Sequence, residues 1–110
     1  MENRWNMRRF IRLNVMIYYG PLGLISGLSR DISATGMFVE TGRIALANDE
    51  TIDLNFRFKD GFEEKNYSIS ASVVHSSHKG SGLKFLNYTF MPMEQKTSTN
   101  QTETNVFADA

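Results

Sequence analysis

Thr51-Ile52-Asp53-Leu54-Asn55-Phe56-Arg57-Phe58-Lys59-Asp60-Gly61 decides how this chain folds. Ile52, Leu54, Phe56 and Phe58 recur at every second position, with polar or charged residues between most of them. Successive side chains of a strand point to opposite faces, so a period of two buries one row and leaves the other in water. Lys59-Asp60-Gly61 carries the Asp-Gly signal of a tight hairpin, and the acidic pair Glu63-Glu64 lies beyond it. Tyr67, Ile69, Ala71 and Val73 then form the next alternating face.

The same period extends outward in both directions. Leu13, Val15 and Ile17 alternate upstream, and Gly20-Pro21 marks a turn. A second strand is predicted from Leu22 to Ser29, where Gly23 and Gly27 suggest a bulge or tight bend. Met37 to Thr41 reads as a third strand, and Gly42 to Glu50 as a loop. Downstream, His75 to Gly80 is polar and loop-like, and Gly82 to Leu86 is a last strand. About six short strands with polar hairpins predict an all-β fold, a six-stranded antiparallel barrel whose closure removes exposed strand edges. The expected organisation is an arginine-rich segment over 1–12, the barrel over 13–90 and a polar tail over 91–110. Met91 to Lys96 can form a helical turn, whereas Thr97 to Asn105 is polar throughout and is expected to be disordered.

Composition bounds the function. With 110 residues one domain is expected, and 41% hydrophobic residues suffice for a core. The absence of cysteine excludes disulfides and thiolate metal sites. The longest apolar run, Val15 to Tyr19, falls far short of the roughly 20 residues of a membrane helix. The start lacks the apolar stretch of a secretory signal, which points to the cytoplasm and makes the N-x-Ser/Thr triplets at Asn66, Asn87 and Asn100 chance matches. Net charge is zero but uneven: residues 1–30 hold five arginines against Glu2 alone. A local basic site on a neutral body suits a small anionic ligand better than a long nucleic acid.

Two motifs carry the chemistry. Arg8-Arg9-Phe10-Ile11-Arg12 concentrates guanidinium groups, and no lysine occurs before Lys59. Arginine can fork onto a phosphate, read guanine O6 and N7, or stack on a base. Arg8 and Arg12 share a face in either an extended segment or a helical turn. The second motif, Asp31-Ile32-Ser33-Ala34-Thr35-Gly36, offers a carboxylate acceptor, a hydroxyl and a glycine. Taken alone, the first motif reads as a solvated basic terminus and the second as an Asx or Ser turn between strands, or as an Asp31 that simply pairs with Arg30 or another arginine.

Together the motifs resemble the PilZ domain family. Its R-x-x-x-R precedes the first strand, as Arg8 to Arg12 precede Leu13, and its [D/N]-x-S-x-x-G follows the second, as Asp31 to Gly36 do here. Gly80-Ser81-Gly82-Leu83-Lys84-Phe85 matches a late glycine-rich strand of the family, and the likeness spans about residues 4 to 90. The resemblance implies a six-stranded barrel that binds cyclic di-GMP on its exterior beneath a flexible arginine clasp. Arg8 and Arg12 would contact guanine and phosphate, with Arg9 as a third cation. Asp31 would accept from a guanine edge, Ser33 would bond a base or phosphate, and Gly36 would permit close approach. Trp5 either caps the barrel or lies against the ligand, and Met7 and Lys84 are further candidates for contact.

The expected function is therefore a non-catalytic receptor that binds cyclic di-GMP, needs no cofactor and signals to a protein partner in trans, as a monomer or ligand-dependent dimer. The alternative is a nucleotide-independent interaction module of the same fold. A barrel for single-stranded nucleic acid would need cations and aromatics spread along a groove. His75 and His78 lack a third metal ligand nearby, and no nucleophile elbow surrounds Ser33. Phe56, Phe58, Tyr67 and Phe85 read as core.

Overall fold

The computed structural model describes residues 4–92. A short 3₁₀ turn, Arg4–Asn6, precedes strands β1 (Asn14–Tyr19), β2 (Gly23–Ile32), β3 (Gly36–Glu40), β4 (Thr51–Asp60), β5 (Glu63–Ser77) and β6 (Gly80–Phe85). All neighbours are antiparallel, and they close into a barrel in the order β1-β2-β3-β6-β5-β4. The fold is the all-β barrel expected from the alternation. The expected tail, helical turn and polar stretch alike, falls largely outside the described residues.

Alternation fills the barrel. Val15, Ile17 and Tyr19 of β1 meet Ile52, Leu54 and Phe56 of β4, with Ile69, Ala71 and Val73 of β5 and Leu83 and Phe85 of β6 behind them. Burying such rows is the main favourable term in the fold. The β4–β5 hairpin turns through Gly61, whose φ of 71° suits glycine, immediately after Asp60.

One end of the barrel is plugged by aromatic rings. Phe90 is fully buried, with centroid distances of 5.1 Å to Trp5, 5.5 Å to Phe58 and 5.0 Å to Tyr67. Edge-on packing of this kind adds to the gain from burial. The Phe90 amide donates to Ala34 carbonyl oxygen at 2.8 Å, and the Ala34 amide donates to Trp5 carbonyl oxygen. Of the two roles open to Trp5, the barrel cap is the one it occupies.

Two strands differ from expectation. β5 continues through His75, Ser76 and Ser77, so only His78 and Lys79 make the turn before β6. The polar run stays in the sheet because its hydroxyls are satisfied: Ser76 Oγ donates to Leu46 carbonyl oxygen at 2.5 Å and lies 2.8 Å from Ser81 Oγ. β2 likewise extends to Ile32, which places Asp31 in a strand rather than a turn. Gly27 keeps regular pairing with Val15; the irregularity in β2 lies at Arg30.

Candidate functional site

A single extra residue positions the key carboxylate. Ser29 pairs with Val39, but Asp31 pairs with Phe38, so Arg30 is the unmatched residue of a β-bulge. Side chains alternate strictly in a regular strand, and the bulge resets that alternation. Ile32 then pairs with Met37 inside the barrel, while Asp31 and Phe38 come to the outer surface. Phe38, although buried, is outside the core cluster.

Asp31 is nevertheless only 2% exposed, because guanidinium groups cover it. Arg8 Nη1 donates to Asp31 Oδ1, and Arg30 Nε donates to Asp31 Oδ2 at 3.1 Å. A buried carboxylate needs such charged donors, and here they come from two directions. Arg30 also sits over Phe38, its central carbon 3.9 Å from the ring centroid.

The leader runs beside β2 as a continuation of β1. Arg9 and Ile32 exchange two backbone hydrogen bonds, each 2.9 Å. Ser29 seals the next irregular stretch: its Oγ accepts from the Leu13 amide at 2.7 Å and donates to Ile11 carbonyl oxygen at 2.5 Å. With Trp5 anchored in the plug, the segment is held against the barrel at several points. This track sends Arg8 to the outer face. Arg9 turns to the barrel end, 4.7 Å above the Trp5 ring centroid. Arg12 is exposed and reaches across to β3, with Nη2 3.3 Å from Glu40 Oε1.

Arg8, Arg30 and Asp31 therefore meet beside Phe38 on the outer surface of β2 and β3, and the Arg12–Glu40 pair lies two residues further along β3. Three guanidiniums face two carboxylates, leaving a positive local balance suited to an anion. Ser33 and Gly36 build the turn that follows. The Ser33 amide donates to Gly36 carbonyl oxygen at 2.8 Å, and Ser33 Oγ accepts from the Thr35 amide at 3.4 Å. A Cβ on Gly36 would stand 2.3 Å from Leu83 carbonyl oxygen, so this glycine is required by the approach of β3 to β6. Met7 is exposed, and Lys84 is exposed on β6 opposite Gly36.

The sequence pairs Asp31 with Arg30 or another arginine, and both Arg30 and Arg8 hold it, but the sequence does not single out Arg30 or Phe38 as candidate site residues. The place of Phe38 opposite Asp31 is legible only once the bulge fixes the pairing. His75 lies on the outer face of β5 and His78 in the following turn; among the described residues no group of three metal-ligating side chains occurs. No helix among them is long and apolar enough to cross a membrane.

Comparison with known proteins agrees with this architecture. Residues 3–96 match the PilZ domain. Curated protein sequences return no match. Among solved structures, the Bacillus subtilis inhibitor of motility MotI/DgrA is similar with a TM-score of 0.63 and 22% identity, over 80% of this chain and 44% of that one. The present chain thus spans less than half the length of that protein. The PilZ domain of CeSA from a cellulose-synthesizing bacterium is similar with a TM-score of 0.58 and 11% identity, over 73% of this chain and 80% of that one. At such identities the structural likeness speaks for the fold, whereas the domain match covers most of the sequence: the chain belongs to the PilZ domain family.

Proposed function

We propose that this protein is a non-catalytic receptor for cyclic di-GMP that passes the signal to a protein partner. The observation that carries the reading is the pairing of Arg8 with Asp31, 23 positions apart in sequence, on the outer face of the barrel, with Arg12 held to the same strand pair through Glu40. The ligand presents two phosphates and two guanines. Guanidinium forks match the phosphates and the O6/N7 edge, and a carboxylate accepts from the guanine N–H groups. Binding of such a ligand would exchange the internal ion pairs of Arg8 and Arg12 for ligand contacts.

Both arginines come from the leader, so ligand contact would alter the surface on which that segment lies. Such a change is readable by a partner without any chemical step. The description of the Bacillus subtilis neighbour as an inhibitor of motility makes control of motility a suitable first output to examine.

Calorimetric titration with cyclic di-GMP, with GTP and cyclic di-AMP as controls, tests the reading. Saturable binding of cyclic di-GMP alone is expected, with Arg12→Ala losing affinity while its melting curve stays unchanged. Absence of binding by the wild-type protein would return the chain to the class of nucleotide-independent interaction modules.

A further inference from the structure

The outer face that carries Asp31 continues across three more strands. Asp31 of β2 pairs with Phe38 of β3, Phe38 with Gly82 of β6, and Gly82 with His75 of β5. The last step depends on a second bulge. Val73 pairs with Leu83 and His75 with Gly82, which leaves Val74 unmatched and turns His75 outward. At about 4.8 Å between neighbouring strands, this row runs on the order of 14 Å from β2 to β5.

Glycines keep the row flat. A Cβ on Gly82 would stand 2.8 Å from His75 Nε2 and 3.0 Å from its Cδ2, so the imidazole lies across the bare backbone of β6. A Cβ on Gly80 would come within 2.6 Å of Phe38 Cε2. The Phe38 and His75 rings sit 6.0 Å apart, tilted by 43°. Arg30 covers Phe38, while His75 remains exposed. The result is a floor of planar groups, with Arg30 over Phe38 at one end and an open imidazole at the other. Stacking on such π-faces is the usual way proteins hold an unpaired base.

We infer that His75 is a ligand-contacting residue, the far end of a floor that takes the face of a purine while Arg8 and Asp31 engage the near end of the same ligand. This rests on the receptor reading above and extends it to a residue outside both sequence motifs. A histidine needed only for strand polarity would not require a side-chain-free partner at Gly82. The ring's position over that glycine leaves its outer face available to a flat ligand.

The chain's two histidines make the test internal. In proton NMR of the intact protein titrated with cyclic di-GMP, the imidazole C–H resonances of His75 should move upfield under the ring current of a stacked base. Those of His78, in the turn, should stay in place. His75→Ala should weaken binding roughly 5- to 160-fold, the effect of losing one base–aromatic stack, without lowering the melting temperature. His75→Phe should restore most of the affinity. Wild-type protein that binds cyclic di-GMP with unmoved His75 resonances, or His75→Ala with unchanged affinity, overturns the role of His75 and leaves the receptor reading standing. Wild-type protein that binds no cyclic di-GMP removes both.

Discussion

Arg8 and Asp31, 23 residues apart, form an ion pair in which the carboxylate is buried and the guanidinium is half in water. Removing either side of the pair exposes the other to water. Arg8→Ala strips one of two charged donors and uncovers a carboxylate on the outer face, leaving it to Arg30 and solvent. Asp31→Asn removes the buried charge, and Arg8 can be solvated. Each change is expected to cost no more than about 1 kcal/mol. Urea denaturation of the two variants checks this.

The pair between Arg12 and Glu40 is open on both sides, with the side chains 54% and 36% exposed. Exposed pairs contribute little, so Glu40→Gln should shift stability by no more than about 0.5 kcal/mol. The same change releases Arg12 from its competitor. Titration with cyclic di-GMP is expected to show equal or tighter binding in Glu40→Gln, and a clear loss would show that Glu40 positions Arg12 for the ligand.

Trp5 is 4% exposed and packs edge-on against both Phe58 and Phe90. Trp5→Ala should open a cavity in the plug and cost about 3 kcal/mol or more. It should also free the leader, since Trp5 anchors one side of the Arg9–Ile32 bridge. Thermal unfolding measures the first effect. Amide exchange at Arg9 and Ile32, expected to speed up in the variant, measures the second.

Gly36→Ala separates structural from ligand-contacting roles within the second motif. Its methyl group would meet the Leu83 carbonyl oxygen of β6 at 2.3 Å, and backbone atoms cannot move aside as a flexible side chain can. The variant is expected to melt well below the wild type, so any loss of binding accompanies damage to the β3–β6 pairing. A normal melting curve with lost binding would instead assign this glycine to the ligand.

Much of the fold was legible because Ile52, Leu54 and Phe56, like Val15 and Ile17, each serve one face of one strand. Period two records that choice directly in the chain. The motifs could be read because Arg8, Arg12 and Asp31 are defined by chemistry and short spacing. The bulges at Arg30 and Val74 left no such mark, since a bulge is a mismatch between two strands rather than a property of one. For that reason Phe38 stayed hidden beside the motif, Arg30 was foreseeable only as a neighbour able to pair with Asp31, and polar His75-Ser76-Ser77 resembled a loop. Ser76 belongs in the sheet only because Leu46 and Ser81, distant or on another strand, satisfy its hydroxyl.

The unmatched position in β2 has a consequence for how this sequence tolerates change in length. Excising Arg30 would restore continuous pairing with β3 and leave Asp31 opposite Phe38 and Ile32 opposite Met37, each on its present face. What such a loss removes is one of the two guanidiniums on the buried carboxylate and the cover over the Phe38 ring. The strand can thus shorten by one codon here without turning its pattern inside out, and relatives of this chain should vary at this point in residue number as well as in residue type.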